Sequence, residues 1–230
     1  MLIADDVADL RREELFAQIA EAGFPCVGAK SALARGTLKV IVGHSLESAW
    51  DDVHIHSELL EWAKGWRADP EGLRSLAVVY DTPTDLTEEQ FEAALWERLQ
   101  SLTDKDQWRG QTYDHRVSSD PSDPHFSLSF GGEAFFVVGL HPGASRPARR
   151  FRHPTLVFNL HEQFEHLREQ GRYEKMRKTI LDRDVKLAGS INPMLSRYGE
   201  TSEARQYSGR QVGEDWTCPF HDKRSDSAPE

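Results

Sequence analysis

Cysteine is nearly absent. Cys26 and Cys218 are the only two in 230 residues. Two thiols build no disulfide framework, so a reducing, cytoplasmic location is expected. Long apolar runs are missing too. The longest, such as residues 135–140, fall far short of the ~20 residues that a membrane span needs. The opening MLIADDVADLRREE has neither the basic nor the apolar region of a signal peptide. Positive charge is in short supply: 28 Lys and Arg against 38 Asp and Glu leave a net charge of −10. That balance argues against nucleic acid and against anionic membranes as partners. Neither GxGxxG nor GxxxxGK[ST] occurs, so no nucleotide-phosphate loop is expected. HExxH and CxxC are also missing, and a zinc site is not expected.

One absence is local. Between Glu133 and Glu162 lie 28 residues without a carboxylate, where about four or five would be average for this chain. Within them, GLHPGASRPARRF (139–151) carries one histidine and three arginines, followed by Arg152, His153 and His161.

What is present reads as one domain over residues 1–221, with residues 222–230 as a disordered tail. Residues 5–22 have a helical stripe of Val7, Leu10, Phe16, Ile19 and Ala20, stopped at Gly23. FPCVGAKSAL reads as a loop. Residues 37–42 and 76–80 are strands, and Ser45 caps a helix over 46–64 with Trp50, Val53, Leu60 and Ala63 on its inner side. Thr87 and Gln90 form a capping box ahead of Phe91, Leu95, Leu99 and Leu102. Residues 103–124 read as a long loop. Gly131-Gly132 joins two strands in a hairpin. Residues 155–158 make a further strand. Asn159 and Glu162 suggest a second capping box, for a helix to about 187 that Gly171 interrupts. Residues 188–221 read as an ordered wrap anchored by Trp216 and Phe220. About five strands among helices give an α/β (α+β) fold, a mixed or antiparallel sheet with helices packed on it.

Ten histidines are present. His54 and His56 lie two apart on a helix and face different ways; with His115, His125, His153 and His221 they read as solvated. His141 ends an apolar strand and is held by Pro142. His161 stands at the margin of the face bearing Leu160, Phe164 and Leu167. Each is either a satisfied buried ring or a metal ligand. Arg146, Arg149 and Arg150 are either an anion site, since guanidinium suits carboxylate and phosphate, or partners for acids elsewhere. Residues 189–210 add Glu200 and Glu203 as acceptors, with Gln206 and Tyr207 beside them, as a pocket wall or a polar surface wrap.

FPCVGAKSAL, GLHPGASRPARRF, TLVFNLHEQFEHLR, GSINPMLSRYGETSEARQYSGR and WTCPF resemble, in order, the stretches that mark the YqcI/YcgG family. The likeness runs from Phe24 to Phe220. The family includes haem-dependent N-oxygenases that hydroxylate guanidine nitrogens on the routes to D-cycloserine and guanitoxin. The resemblance implies haem b with an axial histidine, His161 or alternatively His141. In the first case His141 is a catalytic group on the distal side. It also makes Arg146, Arg149 and Arg150 candidates for the haem propionates or a substrate carboxylate. Glu200, Glu203, Gln206 and Tyr207 are then candidates for an arginine-like guanidino or amino substrate. Thiolate ligation by Cys26 or Cys218 is the rival arrangement. Reducing equivalents would come from an external reductase, or oxygen from peroxide. A homodimer is left open. The alternative reading is a non-catalytic haem- or anion-binding protein for sensing or storage.

Overall fold

The computed structural model describes residues 5–224. Helices α1 (Asp5–Ala20) and α2 (Val27–Arg35) precede strand β1 (Leu38–Ser45). Helix α3 (Asp52–Ala68) leads to β2 (Ser75–Thr82), and α4 (Glu88–Trp108) to the hairpin β3 (Leu128–Phe130) and β4 (Glu133–Leu140). After a single 3-10 turn at Pro147–Arg149 come β5 (Thr155–Leu160), α5 (Glu162–Glu169), α6 (Tyr173–Ala188) and a short α7 (Ala204–Tyr207).

The sheet order is β1-β2-β5-β4-β3. β1 and β2 are parallel, joined through α3; all other pairs are antiparallel. Both hairpin glycines take positive φ, 60° and 79°, as the tight turn between β3 and β4 requires. The expected mixed sheet of five strands is present.

Period-two alternation gives the sheet two unlike faces. One face presents Leu76, Val78, Tyr80, Phe135, Val137 and Phe158 to α3 and α4, in a continuous aromatic-rich core. Thr87 and Gln90 cap α4 reciprocally, and Phe91, Leu95, Leu99 and Leu102 are buried as the spacing requires. The other face carries the smaller Ala77, with Val79, Val138 and Val157, under α1 and α2.

Several expectations are corrected. FPCVGAKSAL is largely helix: the Cys26 sulfur accepts from the Ala29 N–H at the start of α2, and Gly36 closes it in the left-handed conformation. Ser45 belongs to β1, and Ser48 caps the turn ahead of α3. That helix buries Ile55, Leu59, Ala63 and Trp66, while Trp50 and Val53 are exposed. In α1, Leu15 rather than Leu10 is buried. Helix α4 continues to Trp108, so the loop begins later. Asn159 lies in β5, where its amide accepts from the Ser75 hydroxyl (2.7 Å) rather than capping α5. Gly171 does break the helix, with φ +65°. His56 is buried, with Nε2 2.7 Å from Asp106 Oδ1, and His153 is buried against Glu14. The supposed tail begins ordered: Asp222 is buried, and Arg224 donates to Asp106 Oδ2 at 2.9 Å. Residues 225–230 of that tail lie outside the described residues.

Gly139 sets the approach of α4 to β4. A Cβ there would stand 2.7 Å from Phe91 Cε1 and 2.9 Å from Leu95 Cδ1. Gly139→Ala is expected to destabilise the fold by about 1–3 kcal/mol through overpacking, read as a lower Tm in thermal denaturation.

Candidate functional site

Small residues on the second sheet face leave space. Ser75 and Ala77 of β2 line a cavity of about 300 Å³ between the sheet and the helices α1, α2, α5 and α6. That is the low end of the ~300–1,000 Å³ range of ligand pockets. Its walls are mainly apolar: Ile19 and Phe24, Phe136 and Val138, Phe164 and Ile180. A few polar groups interrupt them.

His161 is one. It follows β5 directly, and its backbone N–H donates to Ala134 O (2.8 Å), which fixes it against β4. The side chain is 9% exposed, packs 4.4 Å from the Tyr198 ring, and sets Nε2 3.1 Å from Glu165 Oε1. One ring nitrogen thus has a carboxylate to orient it, as ligand histidines commonly do.

Glu203 is the second. It is 5% exposed. Its Oε1 accepts from the hydroxyls of Ser127 (2.6 Å) and Tyr207 (2.5 Å). Burial pushes its carboxyl up to about 7, against the opposing pull of His161, the two hydroxyls and Arg168. No cation is within ion-pair distance of it among the described residues.

Arg149 is the third. It is 8% exposed and donates to three backbone carbonyls, Gly139, Tyr207 and Gln206, at 2.9–3.3 Å. It has no carboxylate partner among the described residues. Burial lowers its pKa to about 10. Gln206 lines the same cavity and donates to Ser196 Oγ at 3.0 Å.

The remaining candidates lie elsewhere. His141 has the strand parity of Phe135 and Val137, so it faces α4, away from the cavity. Its ring stacks on Phe91 (4.2 Å between centroids, 12° between planes). Burial lowers its pKa, and Nδ1 has no hydrogen-bond partner among the described residues. The structure therefore separates His141 from His161 rather than placing them about one centre. Arg146 binds Asp184 and Ser190, and Arg150 donates to Ala144 O (2.7 Å) and Ser145 O (3.1 Å). Neither lines the cavity, unlike Arg149. Glu200 is exposed and accepts from the Arg197 N–H at 2.9 Å. Tyr207 is in the core behind Glu203 and does not reach the cavity. Of the two cysteines, Cys26 lines the cavity, and burial raises its pKa; Cys218 packs on the opposite core, where burial raises it to about 12.

Sequence reasoning missed Arg177 and Tyr198, both on the cavity wall, and the supporting Glu165 and Ser127. Tyr173, Met176, Arg177, Ile180, Leu181 and Asp184 form an i, i+3, i+4, i+7, i+8, i+11 stripe along α6 that carries the signal for Arg177. Nothing comparable marks Ser127.

The sequence profile of the YqcI/YcgG family matches residues 15–221 of the 230. The chain belongs to the YqcI/YcgG family. No curated protein and no solved structure matches it significantly. In this YqcI/YcgG protein the family-like segments converge on the cavity: residues 24–33 supply Cys26, 139–151 supply Arg149, 155–168 supply His161, and 189–210 supply Glu203 and Gln206. Among the described residues no helix is long and apolar enough to cross a membrane, and no group of three or more His, Cys, Asp or Glu is arranged to hold a metal ion.

Glu203 gives a pH-dependent prediction. Its folded pKa, about 7, lies above the ordinary 4.5. Between these values the unfolded chain ionises first, so Glu203 costs stability as pH rises, by roughly 3 kcal/mol once fully ionised. Glu203→Gln keeps an acceptor for both hydroxyls and removes that cost. Its Tm relative to wild type is expected to rise between pH 5 and pH 8; a pH-independent difference contradicts the assignment.

Proposed function

We propose that this protein is a haem-dependent monooxygenase that hydroxylates a guanidine or amine nitrogen of an arginine-like small molecule. Family membership supports the reading. The observation that carries it is the cavity's pairing of one carboxylate-held histidine with two buried groups of opposite charge, neither in an ion pair among the described residues.

The residues fit haem b in kind. A haem iron brings its own equatorial ligands and asks the protein for only one or two side chains. His161, a single cavity-lining imidazole oriented by Glu165, meets that demand. The apolar walls suit the macrocycle. Arg149 and Arg177 are guanidinium groups without a carboxylate partner among the described residues, available to propionates or to a substrate carboxylate. When bound, haem supplies the one-electron and oxygen chemistry that side chains lack.

The chain's own contribution is position and charge. Glu203 would take the cationic end of the substrate through a charge-assisted hydrogen bond to Oε2, becoming ionised as the cation compensates it. A carboxyl poised near neutrality can also accept the proton that the reacting nitrogen gives up. Ser127 and Tyr207 keep hold of Oε1 throughout, which leaves Oε2 for substrate. The apolar walls exclude water and strengthen each of these interactions. Reducing equivalents would come from an external reductase, or oxygen and electrons together from peroxide. His141, Arg146, Arg150, Glu200 and Tyr207 have no direct contact with ligand in this reading.

Protein from cells fed a haem precursor is expected to show a Soret band that His161→Ala loses or shifts, with hemin affinity lower by at least about tenfold. No Soret band, and no gain after added hemin, sinks the reading. A Soret band without N-hydroxy product from arginine-like compounds and reductant would favour the non-catalytic haem-binding alternative.

A further inference from the structure

Helix α6 is an unusual member of the fold. It has 16 residues, yet the only buried one is an acid, Asp184. Its principal neighbours are the 3-10 turn at Pro147–Arg149, α5 and α2, with no strand among them. Its inward stripe of Tyr173, Met176, Arg177, Ile180, Leu181 and Asp184 faces the cavity instead of the sheet. A core helix buries such a stripe against packed side chains; this one covers a void.

Both ends of α6 are glycines in the left-handed conformation, Gly171 (φ +65°) and Gly189 (φ +75°). A Cβ at either would meet nothing within 4 Å. Backbone conformation, not crowding, therefore calls for glycine at these two joints. Between them the helix is fastened by few contacts. At its C-terminal end the Arg146 guanidinium grips Asp184, Ser190 Oγ (3.0 Å) and Ser190 O (2.9 Å). Both charged partners are largely buried. The N-terminal end is tied by the Arg168 guanidinium over the Tyr173 ring (4.3 Å) and by an exposed Arg197–Glu174 pair (3.0 Å).

Arg177 sits mid-stripe. It is half-buried at the cavity and has neither a hydrogen bond nor an ion pair among the described residues. Its neighbours on the polar wall are committed: Arg168 to Glu165, and Asp184 to Arg146. An unspent guanidinium over an apolar space suits an anionic group on an otherwise apolar ligand.

We propose that α6 is a hinged lid over the cavity, latched by Arg146 to Asp184, whose Arg177 grips a carboxylate-, sulfonate- or phosphate-bearing ligand on closure. The inference does not need haem, and its test is read without it. Amide hydrogen exchange resolves the lid from the core. In the wild type, residues 173–188 are expected to exchange by local opening at least about tenfold faster than α4 and β5. Arg146→Ala should accelerate α6 alone by about fivefold or more. Protection of α6 equal to that of α4, or no acceleration in Arg146→Ala, overturns the lid. If Arg146→Ala does not fold, the wild-type comparison decides.

The ligand contact is probed with 8-anilinonaphthalene-1-sulfonate, an apolar anion that needs no iron. Its binding should slow exchange of α6, and Arg177→Ala should weaken it about tenfold, with Arg177→Lys between. Binding that leaves α6 exchange unchanged, or an Arg177→Ala affinity equal to wild type, overturns the role of Arg177.

Discussion

The alternation of side-chain size along β2 is the constraint on which the site depends. Leu76, Val78 and Tyr80 point to α3 and α4 and fill that side to closure. Ser75 and Ala77 point the other way and fill little. Because a strand sends successive side chains to opposite faces, one eight-residue segment builds a dense core and a void together. The stability of the fold thus rests on the α3/α4 side, where aromatic packing is continuous. The opposite side can hold polar groups at poor compensation without the domain failing. Strand parity then decides which candidates share the cavity: Val138 and Leu140 do, and His141, one residue on, does not.

Features with a local cause were legible in the sequence. The Thr87–Gln90 box, the Gly131-Gly132 hairpin and the β-branched strands each follow from neighbours a few residues away. Features with a non-local cause were not. Asn159 has the look of a cap, but pairing of β5 between β2 and β4 extends the strand through it, and Ser75 claims its side chain. Trp50, just ahead of α3, and Val53, in its first turn, are bulky, yet the face turned inward is the one that brings Asp52 to Arg98 and His56 to Asp106. His161, Arg149, Glu203 and Gln206 could be named in advance because the family-like segments contain them. That His141 faces away could not, because the sequence does not say which side of β4 carries the void.

The acid-free stretch resolves into separate electrostatic tasks. Arg146 takes its acid from α6, Arg152 from Glu14 of α1, and Arg150 uses carbonyls of its own loop. Carboxylates are missing nearby because they arrive from other elements, which ties the loop to helices on both sides of it. Among the described residues neither Arg149 nor Arg150 receives one, and of the two only Arg149 lines the cavity. Three backbone carbonyls satisfy part of its donor set without neutralising its charge.

Arg149 and Glu203 are opposite charges in one cavity, and they do not pair. Direct pairing would lower the desolvation cost of both. The fold prevents it by giving each neutral partners: carbonyls for Arg149, hydroxyls for Glu203. The consequences are visible in both pKa values, about 10 for the guanidinium and about 7 for the carboxyl. Each burial is unfavourable to the charged form, and each is undone by a partner of opposite sign. A ligand that carries both signs, set apart on an apolar frame, would supply to each group the compensation that the protein withholds. Holding the two apart costs stability in the empty protein and reserves that free energy for binding, which is why a cavity of this composition reads as a binding site rather than a packing defect.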